Sequence, residues 1–324
     1  LQENVMMFVN DIAEIVHSKV DFYGGKANKN IGDAFLLVWK IEDDYLEEAD
    51  NQTDPGAYQV ELESRKNICC ELAVLSFVQI MVDLSRNSSL SPYNNHPGLR
   101  ARIKNFKVRM GFGLHLGWAI EGAIGSEYKI DASYLSPNVN MASRLEAATK
   151  QFGTSLLVSE KVVEHISAPV AAYLRRIDVV KVKGSEEPMA LYTFDGEFDR
   201  LRVAPAATGP QLTGMEKKSQ KYKERMSKNV FLNSIFQRKA SVLTLFETNV
   251  HIKIVRTLYT PKFYETWKCG FEHYLQGSWK DAASSFTECL GMVDTDGPAK
   301  CLLAVISSHN NTAPADWQGV RALT

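Results

Sequence analysis

Apolar residues along this chain switch between helical and extended spacing. Val5, Phe8, Val9, Ile12, Ile15 and Val16 share one stripe and predict a helix over 1–18. Gly24 and Gly25 then break the chain, and the uninterrupted apolar run from Ala34 to Trp39 is short enough for a buried strand. A longer apolar stretch, 67–84, predicts a second helix, and the Ser-, Asn- and Pro-rich stretch 87–98 predicts a loop. Phe106, Val108, Met110, Phe112 and Leu114 alternate as one face of a strand over 106–115. Trp118–Ile124 is expected to return beside it as its hairpin partner, with Gly117 near the turn. Pro137 sits where a first-turn proline would, ahead of a helical pattern over 138–150. Strands are predicted at 155–158, 177–182 and 190–194, with a helix near 160–166.

Helices and strands in this mixed order, with at least one hairpin, predict an α/β sandwich with a mixed, partly antiparallel sheet. Pro205, Ala206, Ala207, Thr208, Gly209 and Pro210 mark a linker, beyond which the chain turns helical. The expected division is therefore a domain over 1–200, a linker over 201–215 and a helical extension over 216–324.

Composition narrows the classes. In 324 residues, 45% are hydrophobic and 23% charged, which is globular rather than disordered. A net charge of −1 gives no global attraction to nucleic acid or anionic lipid, so no nucleic-acid partner is expected, and any site for a polyanion must be built locally. Between Ile41 and Pro55 lie seven acids and no base, a solvated loop. Residues 216–228 carry six bases and two acids, which fits a solvated helix face better than a lipid or nucleic-acid site. The cysteines Cys69, Cys70, Cys269, Cys289 and Cys301 show no metal-ligand spacing and suit a reducing compartment. No unbroken run of 18 apolar residues exists, so no transmembrane helix is expected. The domain is expected in the cytosol, either free or as part of a membrane-bound parent.

Two segments carry candidate chemistry. The first is Lys29-Asn30-Ile31-Gly32-Asp33-Ala34-Phe35. A glycine between a polar stretch and a strand permits a tight turn, and the aspartate is then presented from a rim. Such a carboxylate can hold Mg²⁺, which takes few carboxylates and completes its shell with phosphate oxygens and water. The second segment runs from Arg109 to Gly117, through Gly122-Ala123-Ile124-Gly125, to Asn138-Val139-Asn140-Met141-Ala142-Ser143-Arg144-Leu145-Glu146. Asn140 and Arg144 lie one helical turn apart, an amide beside a guanidinium, suited to a sugar oxygen and to developing phosphoryl charge. Taken singly, Gly-Asp is an ordinary turn and an Asn/Arg pair ordinary surface.

Together, their order and spacing resemble the class III adenylate/guanylate cyclase catalytic domain. Lys-x-Ile-Gly-Asp is similar to that family's base-selecting and second-metal segment. Arg-x-Gly-x-x-x-His-x-Gly, Gly-x-x-Gly and Val-Asn-x-Ala-Ser-Arg-Leu-Glu are similar to its central hairpin and catalytic helix. Val182-Lys183-Gly184 is similar to its final phosphate-binding segment. The resemblance covers about the first 195 residues. It implies a ferredoxin-like sandwich, paired head to tail with a second copy or another cyclase domain, that turns ATP into 3′,5′-cyclic AMP and pyrophosphate with two Mg²⁺ or Mn²⁺ ions per site.

By the same resemblance, Asp33 would be a metal ligand. Lys29 would read the purine, and a lysine there implies ATP, since guanylate members generally carry an acid. Ser133 would be the second base contact, a departure from the family's usual Asp or Thr, with Asp131 the alternative two residues earlier. Asn140 would orient the ribose, Arg144 would stabilise the transferring phosphoryl group, and Lys183 would hold the terminal phosphates. The family's first metal aspartate, in a Phe-x-Asp-Ile-x-x-Phe segment, would fall before Leu1. This chain is therefore expected to lack one of two metal carboxylates and to be inactive by itself. The alternatives are a guanylate cyclase and a catalytically silent regulatory domain.

The 41–105 segment is longer than the compact family pattern and is expected to be an insertion around a family helix. In the C-terminal region, Trp267, Gly270, Tyr274, Gly277, Trp279, Ala282 and Phe286 resemble one tetratricopeptide-like helical hairpin. One unit is too few for an array. A helical extension packed on the catalytic domain is the expectation, and a short surface for a protein partner is the alternative.

Overall fold

The computed structural model describes residues 5–41, 55–101, 107–183, 187–205 and 213–323. In chain order the elements begin with α1 (Val5–Phe22), β1 (Lys26–Ile31), β2 (Ala34–Val38), α2 (Pro55–Arg86), α3 (Ser91–Asn94) and α4 (Pro97–Arg100). Next come β3 (Phe112–Leu114), β4 (Ile120–Ser126), β5 (Lys129–Leu135), α5 (Pro137–Phe152), β6 (Leu156–Ser159), α6 (Glu160–Val163), α7 (Ala168–Ala171), β7 (Leu174–Val182) and β8 (Met189–Phe194). The chain ends with α8 (Gly214–Phe236), α9 (Val242–Thr248), α10 (Val250–Val255), α11 (Pro261–Gln276), α12 (Trp279–Met292), α13 (Gly297–Ser308) and β9 (Arg321–Leu323). This is the expected mixed α/β chain with a helical C-terminal region. It packs as two compact units, neither of them continuous in sequence.

The first unit holds residues 1–109, 165–170 and 201–251. Its spine is α2, longer than the 67–84 pattern predicts. Leu72, Val74, Leu75, Val78, Ile80 and Met81 are buried, with Val16 and Val20 of α1. Each such side chain contributes about 1.5–3 kcal/mol when fully buried. By length and mean hydropathy α2 could cross a bilayer, contrary to the expectation from unbroken apolar runs. Glu71 and Asp83 interrupt the run without lowering the average enough. Of its most apolar window, 78% is buried inside the structure, which marks a core helix apolar all round. The stretch 87–98 is not a loop but a 3₁₀ turn and two one-turn helices. The Asn87 side chain caps the 3₁₀ turn, and prolines sit in the first turns of α3 and α4. The acidic stretch 42–54 and residues 206–212 of the linker lie outside the described residues.

Also in this unit, β1 and β2 form an antiparallel hairpin whose register leaves Gly32-Asp33 as its two-residue loop. Gly32 has φ 65°, the positive value the first position of a type II′ turn requires. The 34–39 run is half-buried rather than fully buried, because a two-stranded ribbon has no second layer on its far side.

The second unit holds residues 110–164, 171–200 and 252–324. Its five-stranded sheet has the order β3-β6-β8-β7-β9. β3 runs parallel to β6 and β9 parallel to β7, while the inner pairs are antiparallel. The predicted 106–115 strand is paired only over Phe112–Leu114, and its partner is β6 rather than the segment after Gly117. Phe106 lies outside the described residues. The true hairpin is β4 with β5, closed by Glu127-Tyr128; sequence reading missed β5 altogether. The helix expected over 160–166 stops after one turn at Val163.

The C-terminal helices belong to this same core. Phe263, Trp267, Tyr274, Trp279, Phe286, Leu302 and Ile306 are buried in one cluster with Leu145, Phe152, Leu157, Ile177, Val180 and Leu191. α11 and α12 pack as the predicted hairpin: a methyl on Gly270 would press on Ser285 at 2.7 Å and on the Phe286 ring at 3.1 Å. Buried ion pairs fasten these helices and β9 to the sheet. Arg175 on β7 meets Asp195 at 2.8 Å and Asp296, the N-cap of α13, at 2.5 Å, and lies 4.0 Å over the Trp267 ring. Arg321 on β9 meets Asp178 at 2.6 Å.

Candidate active site

The second predicted segment acquires its geometry from α5. Ser136 caps the helix, accepting from the backbone N–H of Asn138 at 2.9 Å and of Val139 at 3.2 Å, with Pro137 in the first turn. Met141, Leu145, Ala148, Thr149 and Phe152 form its buried face. Asn140 and Arg144 lie one turn apart on the other side, both exposed.

The glycines of the second segment explain how closely β3 approaches this helix. A methyl at Gly113 would overlap backbone atoms of Ala142 and Glu146, and one at Gly117 would overlap the Asn138 side chain. His115, between them, has Nδ1 2.9 Å from Ser159 Oγ and Nε2 3.2 Å from Asn138 Oδ1. Asn138 Nδ2 donates to the carbonyl of Trp118 at 2.9 Å. Its oxygen therefore faces the imidazole, so Nε2 carries the proton and Nδ1 accepts from Ser159. Burial lowers the His115 pKa, with Lys161 adding to the effect and the Asn138 hydrogen bond opposing it. The imidazole is thus a neutral strut between β6 and the N-terminus of α5. Sequence reading singled out neither Asn138 nor Ser159; the only signal was His115 within the glycine pattern.

The other predicted residues fall in two places. Lys183 is exposed in the turn after β7, and Gly184 lies outside the described residues. Ser133 is on β5 opposite Gly122 and only 4% exposed, so unlike Asn140 and Arg144 it presents no open hydroxyl in this chain. Asp131, two residues earlier, is exposed and pairs with Lys129 at 3.2 Å. Lys29 and Asp33 belong to the first unit. Lys29 is half-buried on β1 across from Leu36, beside a register shift, and Asp33 is exposed on the hairpin loop.

Asp33 suits one position of a Mg²⁺ or Mn²⁺ shell, a hard oxygen on an open rim. Among the described residues no group of three or more His, Cys, Asp or Glu side chains converges as a metal site.

Comparison with known proteins finds adenylate cyclases among the relatives of this chain. An adenylate cyclase of Anabaena cylindrica is 30% identical over 189 residues, 58% of this chain and 32% of that protein. A terminal-differentiation-specific adenylate cyclase of Dictyostelium discoideum is 25% identical over 205 residues, 63% of this chain and 8% of that protein. The chain thus spans a third or less of the length of these relatives. A solved bacterial light-regulated adenylyl cyclase aligns with TM-score 0.40 at 22% identity, over 60% of this chain and 46% of that one. The profile described as adenylate and guanylate cyclase catalytic domain matches residues 2–196, more than half of the chain. The chain belongs to the adenylate and guanylate cyclase catalytic domain family.

Proposed function

We propose that this chain is the catalytic domain of an adenylate cyclase, forming 3′,5′-cyclic AMP and pyrophosphate from ATP in a site shared by two copies. The observation that supports it most is α5: Asn140 and Arg144 stand exposed one turn apart on a helix whose other face is locked into a core. In this reading the Asn140 amide orients the ribose so that its 3′-oxygen lies in line with the α-phosphorus. Arg144 donates to the oxygens that gain charge as the bond to pyrophosphate breaks. Lys183 holds the terminal phosphates, and Lys29 donates to an acceptor on the adenine edge. Ser133 is the second base contact once pairing or substrate opens its surroundings. Asp33 holds a divalent cation, Mg²⁺ or Mn²⁺, which supplies charge neutralisation at the phosphates and a more acidic 3′-hydroxyl. A second ion would need a further carboxylate.

Pairing with a second copy is supported by the β4–β5 hairpin. Ile120, Ile124 and Leu135 are exposed on one face of it and Ile130 on the other, apolar side chains that a partner would cover. A cytosolic placement fits ATP as substrate and five cysteines present as thiols.

The test is complementation between two variants of the protein. Asp33→Asn and Arg144→Ala should each lower Mn²⁺-dependent cyclic AMP formation on the order of 100-fold or more. Mixing the two variants should restore a share of the wild-type rate, because one of the two mixed sites is then intact. Restoration of nothing would sink the shared site. Cyclic GMP from GTP in preference to cyclic AMP would move the assignment to guanylate cyclase, and no product from either would leave a silent regulatory domain.

A further inference from the structure

The N-terminal half of α8 is the least accounted-for element of the molecule. It is a 23-residue helix opened by a full capping box between Thr213 and Glu216, so its start is well defined. Its C-terminal half is anchored in the first unit. Ile235 is buried, Phe231 stacks on Phe22 at 5.0 Å, and Lys228 meets Asp21 at 2.6 Å. From residue 213 to 227 every side chain is exposed, on all sides of the helix. That half would be expected to be polar throughout, yet Met215 is 83% exposed, Tyr222 66%, Met226 46% and, just beyond, Val230 65%. At 100° per residue these four fall within an arc of about 80°, a single apolar stripe.

The charges are arranged about that stripe. Lys218 and Arg225 border it on one side and Lys223 on the other, with Lys217 and Lys221 behind. Glu216 is committed to the cap and Glu224 accepts from Gln220 at 2.9 Å. None of these five bases has an ion pair among the described residues. Lys217–Lys221 and Lys221–Arg225 are like-charge pairs at i, i+4, which oppose the helix. Glu224, three residues beyond Lys221, offsets part of that penalty, and an anionic partner would offset the rest.

We propose that this half of α8 lies on an anionic phospholipid surface, with the stripe at the headgroup boundary and Lys218, Lys223 and Arg225 reaching to lipid phosphates and carboxylates. Two alternatives fit less well. Self-pairing would set the flanking bases of one copy against those of another. Docking in an acidic protein groove needs large anchors at i, i+4 and i+7, whereas Ser219 occupies the middle position between Met215 and Tyr222. A narrow stripe flanked by cations matches shallow interfacial burial assisted by charge. This proposal is independent of the cyclase chemistry.

The experiment is sedimentation of the purified chain with vesicles of phosphatidylcholine alone and of phosphatidylcholine with phosphatidylserine. Binding is expected only with phosphatidylserine and should weaken from about 100 mM to about 500 mM salt. Replacing Lys218, Lys223 and Arg225 together by Gln should lower partition about 100-fold, at about fivefold per base. Tyr222→Ser with Met226→Ser should lower it further, and Lys280→Gln, an exposed base in the second unit, should leave it unchanged. Circular dichroism should be the same for all variants, since every substitution is at an exposed position. Equal binding to neutral vesicles, no binding to anionic ones, or unaltered binding by the triple variant would overturn the proposal. So would capture by calcium-loaded calmodulin or duplex DNA in place of vesicles.

Discussion

The α5 region and the β1–β2 hairpin both carry candidate catalytic groups, yet they hold them by different physics. α5 is fixed by packing: five buried side chains on one face, glycines that admit β3 to its backbone, and a neutral histidine joining its N-terminus to β6. The hairpin is a two-stranded ribbon with Asp33 on its loop, supported by the His17–Phe35 contact at 5.3 Å and the Trp39–Phe77 contact at 5.5 Å. Such ribbons are marginal without a layer beneath them. Groups that must meet a transition state gain from the first arrangement, because small displacements there are costly in rate. A carboxylate that receives a hydrated cation tolerates the second. The difference predicts that unit 2 is sensitive to any change of packing, and the hairpin only to changes of its turn.

The largest effect should come from Arg175. Substituting Met leaves Asp195 and Asp296 facing each other in a buried place. A broken buried pair of this kind costs about 3–5 kcal/mol, read as a shift of the urea midpoint. Burial opposes the Arg175 charge, but the two carboxylates outweigh it, so the guanidinium holds its proton above its ordinary value. The matching change in the first unit, Lys228→Met against the partly exposed Asp21, should cost under about 1 kcal/mol. Equal losses would show that the two units are not held differently.

Gly113→Ala comes next. The added methyl meets backbone of α5 rather than a yielding side chain, so about 1–3 kcal/mol is expected, with activity falling more than stability. Gly122→Ala, whose methyl would meet nothing within 4 Å, is the control and should be near neutral.

How much of this was legible in the sequence follows from what each residue encodes. Pro137 and the spacing of Asn140 and Arg144 are local signals, and α5 forms where they place it. Gly32-Asp33 is likewise local, a turn dictated by backbone freedom. The partner of β3 was not legible: alternation over 106–115 reports a face and says nothing of which strand lies alongside. The β4–β5 pairing was hidden because Lys129–Leu135 mixes Lys, Asp and Ser with apolar residues and looks like neither a core strand nor a loop. That the C-terminal helices share a core with the sheet rests on Arg175 reaching Asp296, 121 residues away, a contact no periodicity announces. Ser133 shows a limit of the opposite kind. A family position can be found by count while its burial depends on the fold.

The hairpin offers a smaller test. Gly32→Ala meets no atoms within 4 Å but must hold φ near 65°, so about 1 kcal/mol is expected from backbone strain alone. The Mn²⁺ concentration for half-maximal rate should rise while the maximal rate changes little. A loss as large as that of Gly113→Ala would mean that the hairpin is packed rather than merely turned.

The smallest effect concerns pH, and it again separates the two regions. His115 has a pKa lowered by burial, so below about pH 6.5 the unfolded chain takes up a proton before the folded one does. Its stabilising contribution is therefore complete above that pH and is lost as pH falls toward the folded value. His251 in the first unit has the same sign, from burial and the charge of Arg86, with Asp83 opposing. Unfolding free energies measured from pH 7.5 to 5 should decline toward acid. His115→Gln should flatten that decline, and it should also remove the link from α5 to Ser159. His251→Gln should flatten the decline without disturbing α5. If activity falls with His115→Gln but holds with His251→Gln at pH 7.5, where both are neutral, the imidazole acts by position rather than by charge. If both variants keep full activity, the strut is not needed, and packing along β3 suffices to hold Asn140 and Arg144.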